Sequence, residues 1–417
     1  MFEAHDHKRA TAQQRGTLKK TTVLVAVMMI IVSAAAQTYP VKTKKSKAFI
    51  DEQLQFAVEQ YKMLAKRTAP GVLPRSYDAA TDSVITSGPA WWCSGFYPGT
   101  LLYLYEFSKD EVLKEEAIKR LSLLEKQQFN TGTHDLGFMM YCSYGNALRL
   151  WNNEKDKQVL LNSARSLATR FTGVTGVLRS WNHGQWKYPV IIDNMMNLEL
   201  LTWATRVTGD TSFRHIAVTH ANTTMKNHFR KDCSSWHLVD YDPQNGGVIH
   251  KQTVQGTADT SAWARGQAWA LYGYTMLYRE TKITAYLQLA KRVAQFILAH
   301  PNLPADKIPY WDFDAPGIPQ AKRDASAAAV IASALLELST FTTAKKEKNT
   351  YHTAAIQILQ SLSSSAYRSA AGENGGFILQ HSVGNLPAHS EIDVPLTYAD
   401  YYYVEALLRW REVGGKK

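Results

Sequence analysis

The feature of this sequence that most constrains its fold is a set of twelve stretches in which apolar residues recur at helical spacing. The first stretch, 46–66, places Ile50, Leu54 and Tyr61 on one side of a helix. The others are 95–107, 111–127, 137–152, 156–171, 191–208, 212–229, 261–279, 283–299, 324–340, 348–364 and 397–412. Strand signals are few, so the pattern predicts an all-α fold.

The helical stretches come in pairs, which favours one architecture. Six helical hairpins can close into an (α/α)6 toroid, with six inner helices inside six outer ones and a cleft built from loops at one end. A helical solenoid is the competing arrangement, but the sequence has no strict repeat to support it. Stretch 324–340 is nearly all small and apolar, as an inner helix would be, whereas 283–299 is amphipathic, as an outer helix would be.

The first 37 residues have the pattern of a secretory signal peptide. A basic region precedes an apolar run from Val23 to Val32 and an Ala-x-Ala site ending at Ala36. An uncleaved anchor is the alternative, although the apolar run is short for a membrane span. We therefore predict a signal peptide at 1–37 and one catalytic domain at 38–417, exported to the periplasm or the medium and free of the membrane after cleavage.

Charge and cysteine usage narrow the class of partner. Residues 1–37 contain five of the 47 Lys and Arg and two of the 36 Asp and Glu, so residues 38–417 carry a formal charge of +8. This charge suits an anionic partner, and an acidic oligosaccharide fits an exported protein better than nucleic acid, for which no motif is present. The three cysteines, Cys93, Cys142 and Cys233, match no zinc pattern, so we expect no metal.

Aromatic residues concentrate near three long loops rich in Gly, Pro, Asn and Asp, at 173–190, 240–260 and 301–323. Long loops usually carry function, and aromatic faces stack on sugar rings. Ordinary core packing is the alternative for each residue taken singly, but the set favours a sugar-binding cleft. Its members are Trp91, Trp92, Trp181, Trp186, Trp236, Trp263, Trp269, Tyr310 and Trp311.

Two aspartates, Asp135 and Asp193, each stand immediately before an apolar helical run. Each could simply cap a helix N-terminus. In a toroid, however, both would point toward the same end, where one carboxylate could stay charged at a helix N-terminus. Its like-charged neighbour could then have a raised pKa. Most enzymes that break glycosidic bonds use a pair of carboxyl groups with separated pKa values.

Two further residues have both a binding and a structural interpretation. Arg265, between Trp263 and Trp269, could bind a substrate carboxylate in a bidentate manner, or could form a salt bridge between helices. His237 could donate a hydrogen bond to substrate or be a histidine satisfied by its own loop.

Five segments together resemble the unsaturated glucuronyl hydrolases, glycoside hydrolase family 88, in order and with sensible spacing over residues 45–412. They are WCSGFYPG from Trp92, HDLGF from His134, IIDNMMNLELLTWA from Ile191, QGTADTSAWARGQAWALYGY from Gln255 and DVPLTYADYYYVEALLRW from Asp393. A related family, the unsaturated rhamnogalacturonyl hydrolases, shares the toroid but matches the RGQAW region less well.

The resemblance implies a substrate with a 4,5-unsaturated uronic acid at its non-reducing end, as polysaccharide lyases produce. It also implies hydration of the vinyl-ether double bond, collapse of the resulting hemiketal and loss of the aglycone. In the family, the residue matching Asp193 is the general acid/base, and the one matching Asp135 holds substrate hydroxyls and tunes its partner's protonation.

The resemblance also assigns binding positions and implies no cofactor. Substrate-binding positions of the family match His237, Gln255, Trp263, Arg265 and Trp269, and its sugar-stacking positions match Trp92 and Trp181. The loop 384–396 lies where the family contacts the substrate carboxylate and any sulfate, and Ser390 is the one contact expected here.

Three functional hypotheses follow. The first is an unsaturated glucuronyl hydrolase acting on glycosaminoglycan-type oligosaccharides. The second is a hydrolase of unsaturated galacturonyl-rhamnose on a related fold. The third is a non-catalytic protein that binds acidic oligosaccharides. In each case we expect a monomer or a weak homo-oligomer.

Overall fold

Helices alternate between an inner and an outer ring in the computed structural model, which describes residues 44–415. In chain order they are α1 (Lys44–Arg67), α2 (Phe96–Ser108), α3 (Glu111–Leu124), α4 (Asn146–Trp151), α5 (Glu154–Ala168), α6 (Asn194–Thr208), α7 (Thr211–Asn227), α8 (Ala264–Thr281), α9 (Thr284–Ala299), α10 (Ala325–Phe341), α11 (Lys345–Leu362) and α12 (Thr397–Gly415). A π-helix, Gly137–Gly145, leads directly into α4. All twelve predicted helical stretches are confirmed, with the 137–152 stretch divided between π- and α-helical turns.

The even-numbered helices close into a ring. From α6 to α12 each packs against the next, and α12 packs against α2. The short α4 packs against α2, and the π-helix that leads into it contacts both α2 and α6. The odd-numbered helices cover this ring from outside, as α7 covers α6 and α9 covers α8. Closure confirms the (α/α)6 toroid, because a solenoid would leave its first and last helices apart.

Burial follows the predicted division between the rings. Every residue of α10 from Ala325 to Leu336 is buried, because this inner helix is enclosed on all sides. Helix α9 buries one face, including Tyr286 and Val293, and leaves Lys291 and Arg292 on the other. The hydrophobic core therefore lies within the inner ring and between the two rings.

The turns from an inner to an outer helix are mostly two residues long. Lys109, Asn152, Gly209 and Lys282 each end a helix in the left-handed conformation. In the first three turns the next residue, Asp110, Asn153 or Asp210, caps the following helix through its side chain. Turns this short cannot build a site from loops, and the longer connections lie at the opposite end, where the inner helices begin.

Those longer connections contain nine short strands in four antiparallel sheets. The strands are β1 (Leu73–Asp78), β2 (Ser83–Ser87), β3 (Phe171–Thr172), β4 (Val177–Leu178), β5 (Pro189–Ile191), β6 (Leu238–Tyr241), β7 (Val248–Gln252), β8 (Ser382–Asn385) and β9 (Ser390–Val394). Parts of the loops expected at 173–190 and 240–260 are thus strands. Runs of two to five residues are too short to show a period in the sequence.

Three features noted in the sequence can be compared with the structure: the N-terminal segment, membrane-spanning helices and the cysteines. The predicted signal peptide at 1–37 lies outside the described residues. Within residues 44–415, no helix combines the length and apolarity needed to cross a bilayer. Cys93, Cys142 and Cys233 are all free thiols.

The π-helix packs backbone to backbone against α6. A Cβ placed on Gly137 would lie 2.5 Å from the Cα of Asn197, which real contacts do not allow. The Asn197 Oδ1 accepts a hydrogen bond of 2.9 Å from the Phe138 N–H, which ties the two helices together at this point. Only glycine at 137 permits this approach.

We predict that Gly137→Ala lowers the free energy of unfolding by about 1–3 kcal/mol, because the added methyl group forces the two helices apart. Denaturant unfolding followed by circular dichroism measures the difference. Gly173→Ala is the matched control, since a Cβ there meets nothing within 4 Å and the backbone is not left-handed. Equal stability of the two variants would contradict the close packing.

Candidate active site

Asp135 and Asp193 lie at the starts of neighbouring inner helices, at the end of the toroid where the long connections gather. Asp193 directly precedes α6, and Asp135 lies two residues before the π-helix. Because these two helices pack against each other through Asn197, one turn into α6, the two carboxylates converge. The structure therefore brings together the pair that the sequence singled out.

The Asp193 side chain does not cap α6. Residue 193 occupies the cap position but has helical backbone angles, φ −57° and ψ −27°, and its carboxylate accepts no bond from the first turn. The residue is 8% exposed, and its Oδ2 has no hydrogen-bond partner among the described residues. The capping alternative is therefore wrong for Asp193, and its carboxylate is free for another role.

Burial raises the pKa of Asp193 to about 7. The guanidinium of Arg265 opposes this shift, and the Asp135 carboxylate adds to it. The Trp269 indole N–H also lowers the pKa slightly, although it falls short of full hydrogen-bond geometry. The expectation that a like-charged neighbour would be the main cause is corrected, because desolvation dominates.

His237 faces Asp193 as a neutral imidazole. Its Nδ1 accepts the N–H groups of Val254 and Gln255 at 3.0 and 3.2 Å, so the ring proton is on Nε2. Burial lowers the pKa of His237 to about 3, and its ring lies 4.5 Å from that of Trp263. The Nε2 is 3.9 Å from Asp193 Oδ2, and neither atom has a hydrogen-bond partner within the described chain. A donor and an acceptor thus flank a space suited to a water molecule or a hydroxyl.

Arg265 is held by the protein itself. Its Nη1 donates to Asp324 Oδ2 at 3.0 Å and to the Val383 carbonyl at 2.5 Å, and its Nη2 donates to the Gly384 carbonyl at 2.6 Å. The residue is 1% exposed, with its guanidinium carbon 4.6 Å from the Trp263 ring centroid. Arg265 therefore forms the salt bridge that was one of its two predicted roles. Three of its five N–H donors are engaged, and the other two remain for a ligand.

The β8–β9 hairpin joins the site through a shared carbonyl. The Gln255 Nε2 donates to the Gly384 carbonyl, 3.2 Å away, which Arg265 also contacts. Ser390 pairs with Asn385 across this hairpin and lines a cavity of about 550 Å³ together with Arg75. The predicted residue Ser390 thus lines a cavity whose walls contain neither aspartate.

Two predicted binding tryptophans are deeply buried. Trp269 is fully buried, with its ring centroid 5.2 Å from that of Phe138 and 5.5 Å from that of Tyr402. Its indole N–H lies near the Asp193 carboxyl group. Trp263 is 3% exposed and lies between His237 and Arg265. In this conformation, neither ring offers a free face for a sugar.

The other aromatic residues divide between core and surface. Trp92 and Trp181 are half-buried: Trp92 packs 4.9 Å from Tyr398, and Trp181 makes an edge contact of 5.5 Å with Trp186. The Trp181 Nε1 is buried and has no hydrogen-bond partner in the described residues. Tyr310 and Trp311, by contrast, are buried, so core packing is the right interpretation for them.

A second cavity, of about 920 Å³, lies farther along the inner helices. It contains Glu199, Glu405 and Arg409 and does not include either aspartate. Arg279, Glu337 and Arg409 form partly buried ion pairs at this cavity, so its charged groups are paired with each other. We therefore place the chemistry at Asp193 and not in this larger space.

Three residues that sequence reasoning missed complete the site. Asp324 is fully buried, caps α10 through Ser326 and bonds Arg265. Asn197 joins the helices of the two aspartates, and His134 adjoins Asp135. Asp324 and Asn197 stood inside predicted helices, where only tertiary contacts distinguish them from ordinary polar positions.

As a chemical unit, the site offers a carboxyl group that can hold or release a proton near neutral pH. A neutral N–H donor stands opposite it, and a cation and a second carboxylate lie nearby. Such a group can protonate one atom of a substrate and then deprotonate a water molecule. Among residues 46–412, no cluster of His, Cys, Asp or Glu has the composition to hold a metal ion.

The chain was compared with known proteins. Residues 76–414 match the model of Glycosyl Hydrolase Family 88. An unsaturated glucuronyl hydrolase from Formosa agariphila is 43% identical over 397 residues, which cover 94% of this chain and 98% of the relative. An unsaturated chondroitin disaccharide hydrolase from Streptococcus pyogenes is 32% identical, with 76% of this chain and 81% of the relative covered.

Solved structures have the same fold. The crystal structure of an unsaturated glucuronyl hydrolase specific for heparin superimposes with a TM-score of 0.85 at 49% identity, covering 88% of this chain and 98% of the other. That of the unsaturated glucuronyl hydrolase from Bacillus sp. GL1 gives a TM-score of 0.82 at 30% identity with the same coverage.

The raised pKa of Asp193 predicts a pH-dependent stability difference. A carboxyl group whose folded pKa is raised adds stability below its ordinary pKa and loses it as pH rises through about 7. We expect Asp193→Asn to be more stable than the wild type at pH 8, by at most about 4 kcal/mol, and the gap to close near pH 4.

Denaturant unfolding across this pH range tests the prediction. Asp240→Asn is the control, because the buried Asp240 accepts the N–H groups of Lys187 and Tyr188 and should lose stability when neutralised. A destabilised Asp193→Asn at pH 8 would show that the Asp193 charge is compensated in solution.

Proposed function

The chain belongs to glycoside hydrolase family 88, and on that premise we propose that it removes 4,5-unsaturated glucuronic acid from the non-reducing end of lyase-generated oligosaccharides. The observation that carries this proposal is the buried, unpartnered Asp193 carboxyl group with a pKa of about 7, opposite the neutral N–H of His237. A group with this pKa exists in both acid and base forms near neutral pH, as one residue performing two proton transfers requires.

Asp193 acts first as an acid and then as a base. Its proton goes to C4 of the vinyl ether, and the resulting positive charge is shared by C5 and the ring oxygen. Asp193, now a carboxylate, accepts a proton from the water that adds at C5. The hemiketal then breaks its bond to the ring oxygen, which leaves a ketone at C5 and a hemiacetal at C1 that releases the aglycone. The substrate's own ether oxygen stabilises the cation, so no enzymic nucleophile is needed.

The neighbouring groups have distinct proposed roles. The His237 Nε2–H is placed to orient the water or a substrate hydroxyl against Asp193. The two unengaged N–H groups of Arg265 suit the substrate carboxylate. Gln255, Trp263 and Trp269 hold these groups in position, and Asp135 is assigned to substrate hydroxyls.

Trp92, Trp181 and Ser390 are assigned to the sugar and its substituents. Trp92 and Trp181 keep accessible surface for the uronic acid or the next sugar. Ser390 lines a separate cavity of the β8–β9 hairpin and is assigned to substituents of the sugar. One solved relative is specific for heparin, and the streptococcal relatives are chondroitin disaccharide hydrolases. Glycosaminoglycan-derived disaccharides are therefore the substrate class we propose.

A panel of unsaturated disaccharides tests the function. We expect loss of the ultraviolet absorbance of the C4–C5 double bond with members derived from heparin or chondroitin. Turnover restricted to unsaturated galacturonyl-rhamnose would favour the related activity instead. Calorimetric binding without loss of absorbance would favour a non-catalytic binding protein, and the buried acid/base at 193 argues against that outcome.

Asp193→Asn should reduce kcat on the best disaccharide by on the order of a thousandfold, because it removes both proton transfers. In the wild type, kcat/KM should fall as pH rises above about 7, since the acid form of Asp193 is needed first. Activity close to that of the wild type in Asp193→Asn would move the acid/base to another group. Gly173→Ala, at an exposed position where a Cβ meets nothing within 4 Å, serves as the control.

We propose in addition that residues 1–37 direct export and are removed, and that the enzyme acts in the periplasm or medium as a monomer or weak homo-oligomer. The basic region, the apolar run and the Ala-x-Ala site support the first part. N-terminal sequencing of protein recovered from outside the cytoplasm would give a start near Thr38 if it is right. Sedimentation would give the oligomeric state.

A further inference from the structure

The loop between β7 and α8, residues 253–262, contributes to the site although it lies outside helices and strands. The N–H groups of Val254 and Gln255 bond His237 Nδ1 and so determine which nitrogen of that ring carries the proton. Residues 257–260 are exposed to solvent. A loop of this kind keeps one conformation only if other parts of the chain bond its backbone.

Asp312 is a side chain that anchors this loop. It lies in the connection before α10 and is fully buried. Its Oδ2 accepts the N–H of Thr257 at 2.9 Å and the hydroxyl of Ser261 at 2.7 Å. Its Oδ1 accepts the N–H of Asp314 at 2.9 Å, which fixes the carboxylate within its own connection. One carboxylate thus holds the second half of the loop against a separate segment of the chain.

Gly256 lets the loop backbone approach the Asp312 carboxylate. A Cβ on Gly256 would lie 3.0 Å from Asp312 Oδ2 and 2.6 Å from Thr253 Oγ1, which leaves no room for a larger residue. The Gly256 N–H donates to that Thr253 hydroxyl at 2.7 Å. These contacts connect the part of the loop that Asp312 holds to Gln255, whose N–H reaches His237.

The connection that carries Asp312 is itself paired with the chain at the start of α8. The Phe313 N–H donates to the Ala262 carbonyl at 3.0 Å, and the Ala264 N–H donates to the Trp311 carbonyl at 3.1 Å. Asp312 therefore stands on a fixed base, and its carboxylate sets the position of the loop relative to α8.

The His237 side chain is placed against Asp193 by its backbone and by this loop together. The His237 carbonyl accepts the N–H of Ile192, the residue before Asp193, at 2.9 Å. The two loop N–H groups at Nδ1 keep the ring proton on Nε2, which faces Asp193. If the loop moved away from Nδ1, the proton would no longer be confined to Nε2. A proton on Nδ1 would leave a lone pair facing Asp193 in place of a donor.

We propose that Asp312 is a positioning residue of the site, which acts through loop 253–262 to keep the His237 proton on Nε2, facing Asp193. The proposal rests on the function proposed above, in which this N–H orients the water or a substrate hydroxyl. Asp312 acts by holding the loop and takes no part in proton transfer. A rigid support of this kind keeps a reacting group within the narrow range of positions that catalysis requires.

Long-range proton–nitrogen NMR of 15N-histidine-labelled protein reads the His237 tautomer without substrate. In the wild type we expect a proton on Nε2 and an unprotonated, hydrogen-bonded Nδ1. Asp312→Asn should change this, because its amide nitrogen must face at least one of the donors that the carboxylate now accepts. We expect Nδ1 to become partly protonated. A folded Asp312→Asn protein with an unchanged His237 would overturn the proposal.

Glu405→Gln is the matched control. Glu405 is also a buried carboxyl group that accepts hydroxyl groups, those of Tyr272 at 3.0 Å and Tyr103 at 3.2 Å, but it lies on α12 beside the second cavity. This change from acid to amide should lower stability and leave the His237 signals as in the wild type. If it alters the tautomer as much as Asp312→Asn does, the effect is a general loosening of the fold and the proposal fails.

The kinetic consequence is a lower kcat. We expect Asp312→Asn to reduce kcat on the best disaccharide by about tenfold to a hundredfold, since misplacing a group by about 1 Å can have an effect of this size. Glu405→Gln should stay within about twofold of the wild type, because it leaves the loop in place. A changed tautomer with an unchanged kcat would support the link from Asp312 to His237 and contradict the role of His237 in the proposed reaction.

Ser261→Ala decides the question if Asp312→Asn does not fold. It removes one donor to Asp312 and leaves the backbone pairing of 262–264 with 311–313 intact. We expect a smaller change of the His237 Nδ1 signal in the same direction and a loss of kcat of about threefold to tenfold. Signals identical to those of the wild type would show that the loop does not depend on Asp312. The NMR comparison stands even if no disaccharide in the panel is hydrolysed.

Discussion

The burial of the Asp193 carboxyl group is the constraint on which the rest of this structure depends. Removing a carboxylate from water without giving it a partner is costly, and the cost appears here as a pKa raised to about 7. The closed inner ring supplies the compensating stability, because helices such as α10 are buried on all sides. Gly137 lets the π-helix approach α6 closely enough to bring Asp135 toward Asp193. A group that destabilises the fold is thus held where it can transfer protons, a common compromise in active sites.

The surroundings of Asp193 are rigid because each charged or polar neighbour is bonded to the scaffold. Arg265 is held by Asp324 and by two carbonyls of β8, and Asp324 also caps α10. The ring of His237 is oriented by two backbone N–H groups, which leaves its N–H toward Asp193. These bonds come from three different connections between outer and inner helices, those before α8, α10 and α12. They preorganise the site, so little rearrangement is needed when a substrate binds.

The two ends of the toroid differ because short turns join the helices at one end and long connections join them at the other. Inner helices run into outer ones through turns of two residues, where a left-handed residue is followed directly by a helix cap. Outer helices return through long connections that contain all nine described strands. Partly buried ion pairs such as Arg279–Glu337 and Arg409–Glu337 join α8, α10 and α12 toward the short-turn end. Interactions that stabilise the ring therefore lie toward one end of its axis, and the candidate active site lies at the other.

The sequence by itself determined the twelve helices, their pairing, and the two aspartates before α6 and the π-helix, because helical periodicity and helix starts are local patterns. Its motifs also identified the family.

The sequence did not reveal the short strands, which contain few residues and pair across distant loops. Nor could it separate the buried Trp269 from the half-buried Trp92, since burial depends on packing partners. Only the tertiary structure decided that desolvation raises the pKa of Asp193, that Arg265 is held by Asp324, and that Asn197 joins α6 to the π-helix. Each of these depends on atoms many residues apart in the chain, whose distances no local pattern encodes.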